Sequence, residues 1–186
     1  MRIVVFLLAL LVGSVSYGQK EGKRISKRVS LLEEFTDSSF KMPSSVLFYS
    51  GANYKLETNY EYLFKKLKKK TKKSDINFGF RFDRKANLPF KLESFDQLDL
   101  KFTNDQFEAI CVLIVGDESR NNPFDEDGTT RYFTNNESLV YYDFYLLLVE
   151  ANTNKVLKRR KYHVAGYDLF KNDNNELVKA ICKEFE

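Results

Sequence analysis

The sequence predicts a single α+β domain: a mostly antiparallel sheet of about five strands, packed by a lysine-rich helix and a C-terminal helix. Three observations carry that expectation. Residues 76–83 alternate strictly, placing Ile76, Phe78, Phe80 and Phe82 on one face with the period of a half-buried strand. Tyr60, Leu63, Phe64 and Leu67 recur at i, i+3, i+4 and i+7, the apolar stripe of an amphipathic helix. Two long apolar and aromatic runs, 138–151 and 155–167, flank the turn Asn152-Thr153-Asn154 and read as a hairpin.

The elements follow in order. Residues 20–45 mix KEGKRISKR with SLLEEF and TDSSFKMPSS and hold no sustained period, so they read as a basic lead-in with one short turn of helix, free to move. The folded domain is expected over 46–186. It begins with the strand-like run Val46-Leu47-Phe48-Tyr49, followed by the loop Ser50-Gly51-Ala52-Asn53. Thr58 and Glu61 have the spacing of a capping box and mark the start of the lysine-rich helix. Residues 84–107 carry Pro89 and scattered Phe, and a short helix is expected near 94–100. Residues 108–116, EAICVLIVG, are apolar at every other position on both phases, as in a central strand covered on two sides. Residues 117–136 have loop composition, and Asp173 with Glu176 repeats the capping spacing ahead of Leu177, Val178, Ile181, Cys182 and Phe185.

Residues 1–19 combine Arg2, the apolar stretch from Ile3 to Val12 and small residues near Gly18, the three regions of a secretory signal peptide. The apolar run is shorter than the ~20 residues of a spanning helix, so cleavage is expected to leave a chain without a transmembrane span. The expected address is therefore periplasmic or secreted. Export permits a disulfide, so Cys111 and Cys182 are either a bridge or two buried free thiols.

Composition narrows the chemistry. With one His and two Cys in 186 residues, the usual tetrahedral zinc sets cannot form, and no metal site or cofactor is expected. His163 lies in a strand with no partner visible in the sequence. Asp125, Glu126 and Asp127 precede Gly128, but Pro123 and Thr134 occupy the first and last ligand positions of an EF-hand loop, leaving an acidic turn. No catalytic constellation is signposted, and the chain is expected not to be an enzyme.

Charge is divided along the chain. Residues 20–85 hold 17 basic against 8 acidic residues, and residues 86–186 hold 12 against 18. Lys65, Lys66, Lys69, Lys72 and Lys73 point away from the helix stripe, and with Arg159, Arg160 and Lys161 they are the candidates for binding an anionic envelope polymer. Export makes intracellular nucleic acid an unexpected partner. In the acidic loop, Phe124, Asp125, Asp127 and Arg131 are the candidate contacts to a partner protein.

The order strand, helix, strand, strand, hairpin, helix, with FEAICVLIVGD and the turn VEANTNKVL, resembles the TolB N-terminal and CsgG/LpoB-like modules of the bacterial envelope. The resemblance spans roughly residues 46–185. It implies a noncatalytic interaction domain of the envelope, and the absence of a cysteine after the apolar leader departs from the lipid-anchored members. Asn154 stands where glycine is commoner, a position it fills by tolerating the left-handed conformation. The expected function is thus binding of another envelope protein through loop 117–136 or a sheet edge; binding of anionic polymer and a carboxylate-based hydrolase are the alternatives.

Overall fold

The computed structural model describes residues 22–51, 56–86, 88, 95, 98, 102, 106–119, 140–166 and 175–186. The chain runs β1 (Lys23–Arg24), β2 (Val29–Thr36), β3 (Ser45–Gly51), α1 (Glu57–Thr71), β4 (Asn77–Asp83), β5 (Ala109–Ser119), β6 (Val140–Glu150), β7 (Val156–Gly166) and α2 (Asn175–Lys183). The strands form one sheet in the order β1-β2-β7-β6-β5-β3-β4. Among the described residues this is an α+β sheet with two helices, as expected, but it has seven strands and is mixed: β3 runs parallel to both β4 and β5, and the other pairs are antiparallel.

The lead-in supplies the two extra strands. Pairing of β2 with β7 sets Glu33 opposite Lys161 and Glu34 opposite Arg160. A bulge between Leu31 and Glu33 puts two neighbouring residues out of phase, which erases the alternation that would mark the strand in the sequence. The lead-in is also tied to the far end of the chain, because Glu176 accepts hydrogen bonds from the Ser26 hydroxyl and from Arg28 N at 3.0 Å. Asp173, the other half of the capping box expected there, lies outside the described residues. The capping box expected at Thr58 and Glu61 is absent: Leu56 occupies the N-cap of α1 with no side-chain cap, and Thr58 lies inside the helix. Glu57 meets Arg84 instead, at 2.8 Å.

The parallel order follows from the β3-α1-β4 crossover, which returns the chain beside β3 in the same direction. Helix α1 buries Tyr60, Leu63, Phe64 and Leu67 on one face of the sheet, where α2 adds Leu177, Val178 and Ile181. On β5, Ala109, Cys111, Leu113 and Val115 face this layer, whereas Ile110, Val112 and Ile114 face a second core. Leu88, Phe95, Leu98, Phe102 and Phe107 belong to that second core, so the central strand is covered on both sides. Gly51 lies opposite Asp83 at the end of β4, where a Cβ would lie 2.1 Å from the Asp83 carbonyl oxygen. The hairpin turn has Asn154 at φ 56°, the left-handed position expected of it. The short helix expected near 94–100 falls largely outside the described residues.

Burial of tyrosine makes stability sensitive to alkali. Tyr60 is 3% exposed, its hydroxyl oxygen accepts from Val115 N at 2.9 Å, and burial pushes its pKa up to about 12. A folded-state pKa above the unfolded ~10 gives stability that is complete below pH 10 and is lost as pH rises toward 12. Tyr60 alone is expected to contribute about 2 to 3 kcal/mol to that loss. Urea titrations at pH 8 and 11.5 should show it, and Tyr60→Phe should flatten the difference; an unchanged slope in the variant would refute the assignment.

Candidate functional site

The basic candidates occupy two unlike settings. Lys65 and Lys69 on α1 and Lys72 and Lys73 just past its end are exposed, and Lys66 lies half-buried with its ammonium 4.9 Å from the Tyr62 ring. On β7 the pleat sends alternate residues to opposite faces. Arg160 points to the α2 side and is 8% exposed, donating through Nε to Glu184 at 3.1 Å and through Nη2 to the Thr36 hydroxyl at 2.9 Å. Arg159 and Lys161 point to the other face, with the Arg159 guanidinium 5.0 Å from the Phe35 ring and Lys161 Nζ 3.1 Å from Asp143. The anion-binding set expected from the sequence is thus divided. Lys158, Arg160 and Lys161 are neutralised by carboxylates of this chain, and the sheet separates Arg159 and Lys161 from the lysines of α1.

His163 has the partner that the sequence did not reveal. Its Nδ1 donates to Asp143 at 3.1 Å across the β6–β7 pair, and its ring stacks on Tyr141 with centroids 5.9 Å apart. Burial would raise the Asp143 carboxyl, but His163 and Lys161 outweigh it and hold the pKa below the usual carboxylate value. Ser30 lies opposite His163 in the neighbouring strand, so Ser30, His163 and Asp143 share one cross-strand row. Within that row the Asp143 carboxylate has His163 on one oxygen and Lys161 on the other. Among the described residues no three potential metal ligands come together.

The outer side of β4 is a candidate binding edge. This strand ends the sheet, and among the described residues no strand pairs with its outer side. Asn77 N donates to Ser44 O at 2.9 Å, which fixes the phase of the parallel ladder. Residues 77, 79, 81 and 83 therefore turn their backbone polar groups to β3, and Phe78, Phe80 and Phe82 turn theirs outward. The side chains of those phenylalanines remain half-buried against the helix-side core. An open groove of about 360 Å³ runs between the strand and the end of α1, lined by Lys68, Lys72, Asp75, Ile76, Phe78 and Phe80 among others. On the opposite face of the strand Arg81 is exposed. The alternation at 76–82 was visible in the sequence, but its place at an edge depends on strand order.

The acidic loop yields no contact to compare. Phe124, Asp125, Asp127 and Arg131 lie outside the described residues, and residues 117–119, expected as the start of that loop, continue β5 past a bulge to pair with β6. Cys111 is buried and Cys182 half-buried, both as free thiols, and burial raises both, Cys182 to about 11. No described helix is long and apolar enough to cross a membrane. Residues 1–19, expected to be a signal peptide, lie outside the described residues.

No family model and no curated protein matches the chain. Among solved structures it is similar to the PelC dodecamer from Paraburkholderia phytofirmans, at 8% identity and a TM-score of 0.43, over 84% of this chain and 94% of that one. A single-residue variant of that dodecamer gives 9% identity and a TM-score of 0.42, over 84% and 93%. At such scores the likeness carries no argument about activity or assembly.

Proposed function

We propose that this chain is an exported module of the bacterial envelope that binds another protein, and that the outer side of β4 is where the partner attaches. The observation that carries the reading is the pairing-competent edge: three residues whose backbone donors and acceptors face outward, beside a groove with an apolar floor and a basic rim. The leader at residues 1–19 and the resemblance to TolB-like envelope modules supply the location. A photo-crosslinking amino acid at the exposed Arg81 position should trap a discrete protein in intact cells, and the product should persist at high salt. Recovery of no protein adduct from this position, with adducts from a control position on α1, would overturn the reading.

Binding of anionic polymer is the second reading, favoured by the exposed Lys65 and Lys69 on α1 and Lys72 and Lys73 just past its end. It differs in its response to salt, because a contact made by lysines alone weakens steeply with ionic strength.

A further inference from the structure

We propose that the partner adds an extended acidic segment to the sheet as an eighth strand, bonding to the outward backbone groups of Phe78, Phe80 and Phe82 and setting carboxylates against Lys68 and Lys72. The inference rests on the interaction reading above and names the chemistry of the partner. Three features of the edge select this occupant. The outward N–H and C=O groups are spaced at every second residue, which an extended chain meets in register and a helix does not. Phe78 and Phe80 floor the groove, so aliphatic stems on the added strand gain apolar contact there. The rim holds Lys68 and Lys72 on the helix face, and Arg81 is exposed on the other face, so acidic side chains are matched on both. Asp75 also lines the groove and sets a limit to the acidic stretch.

A second copy of this chain fits the edge poorly. Antiparallel self-pairing of β4 keeps the phenylalanine faces on one side, and its two-fold axis then brings both α1 helices together on that side. Each helix presents Lys65, Lys68, Lys69 and Lys72 to solvent, so like charges meet. Parallel self-pairing turns one copy over and sets its phenylalanines on the opposite face from those of the other. The same lysines that attract an acidic strand therefore oppose self-association.

The test uses the chain from residue 20 onward, labelled with nitrogen-15, and a blocked twelve-residue peptide of alternating glutamate and valine. Its comparators are the lysine-valine analogue and polyglutamate. Anisotropy gives affinity, and amide hydrogen exchange gives the mode of binding. The glutamate-valine peptide is expected to slow exchange at Phe78, Phe80 and Phe82, with Gly79 and Arg81, already bonded to β3, changing little. Lys68→Glu with Lys72→Glu should weaken that peptide about tenfold, whereas Lys65→Glu with Lys69→Glu, off the groove, should change it much less. Thermal melts of both double variants control for folding.

Equal binding of the lysine-valine peptide overturns the proposal, as does binding without protection at the three amides. Equal binding of polyglutamate with no protection identifies a polymer contact instead. Concentration-dependent protection of the edge without peptide identifies self-pairing. A protein trapped at position 81 in cells, together with no response to the glutamate-valine peptide, sinks the acidic strand and leaves the interaction reading standing; failure to trap any protein sinks that reading itself.

Discussion

Replacing Glu184 by alanine is expected to destabilise the domain by about 3 to 5 kcal/mol, the scale for removing one partner from a buried ion cluster. The carboxylate receives three groups of β7 from the helix side of the sheet. Arg160 Nε lies 3.1 Å from Oε1, the Tyr162 hydroxyl donates to the same oxygen at 2.9 Å, and Lys158 Nζ lies 3.5 Å from Oε2. Lys158 is 7% exposed, and burial lowers its pKa despite the nearby carboxylate. Truncating Glu184 leaves that ammonium with the Glu184 carbonyl at 2.7 Å and the Phe40 ring at 4.4 Å, neither carrying full negative charge. Arg160 suffers less, since Phe35 O and Thr36 still hold it.

Urea unfolding of Glu184→Ala, Glu184→Gln and the double variant Glu184→Ala with Lys158→Met measures this. The glutamine should fall between wild type and alanine, because it keeps hydrogen bonds and loses charge. Adding Lys158→Met should recover part of the loss, since the buried cation goes with its counterion. A single-variant cost under 1 kcal/mol, or no recovery in the double variant, would show that water reaches the cluster and screens it.

The same cluster shows where sequence reading succeeds and where it stops. The period-two run at 76–82 and the period-3.6 stripe from Tyr60 to Leu67 each sit in one element, so the apolar pattern alone locates them. β2 has no such pattern, because its bulge places Leu31 and Glu33 out of phase, and its pairing depends on residues more than a hundred positions away. A trace was present: Glu33-Glu34 faces Arg160-Lys161, a complementary pair of charge runs, but sequence alone offers many such pairings. The run Lys158 to Lys161 reads as a basic patch only until the pleat is imposed. Alternation then sends Lys158 and Arg160 inward to Glu184, and Arg159 and Lys161 to the opposite face. The Thr58–Glu61 spacing misled because the helix starts earlier, with Leu56 at the N-cap, and the contact of Glu176 with the Ser26–Arg28 turn is made only after distant parts of the chain meet. The candidate edge was legible as a strand and not as an edge, because strand order is set by the β3-α1-β4 crossover.

Phe48→Ala is expected to cost about 3 to 5 kcal/mol, and to concentrate its effect at the binding edge. Phe48 is fully buried in β3 and lies opposite Phe80 in the parallel pair. Its ring stacks on both Phe78 and Phe80 at 5.4 Å, and the Phe185 ring meets it edge-on at 5.4 Å. Among the described residues strand β4 has a strand neighbour on one side only, so these rings and the contacts of Phe64 and Tyr60 hold its apolar face down. Removing the central ring opens a cavity beneath the edge. Amide exchange at residues 78–82 should then accelerate more than exchange in β6 and β7, whose pairing and packing are intact. Phe48→Leu, which keeps much of the volume, should lose less stability and leave β4 exchange closer to wild type. Glu184→Ala acts from the other end of the sheet, loosening β7 against α2, and should accelerate exchange in β2 and β7 before β4. If the two alanine variants instead accelerate all strands alike, the sheet opens as one unit, and rigidity of the β4 edge cannot be adjusted separately from the stability of the whole domain.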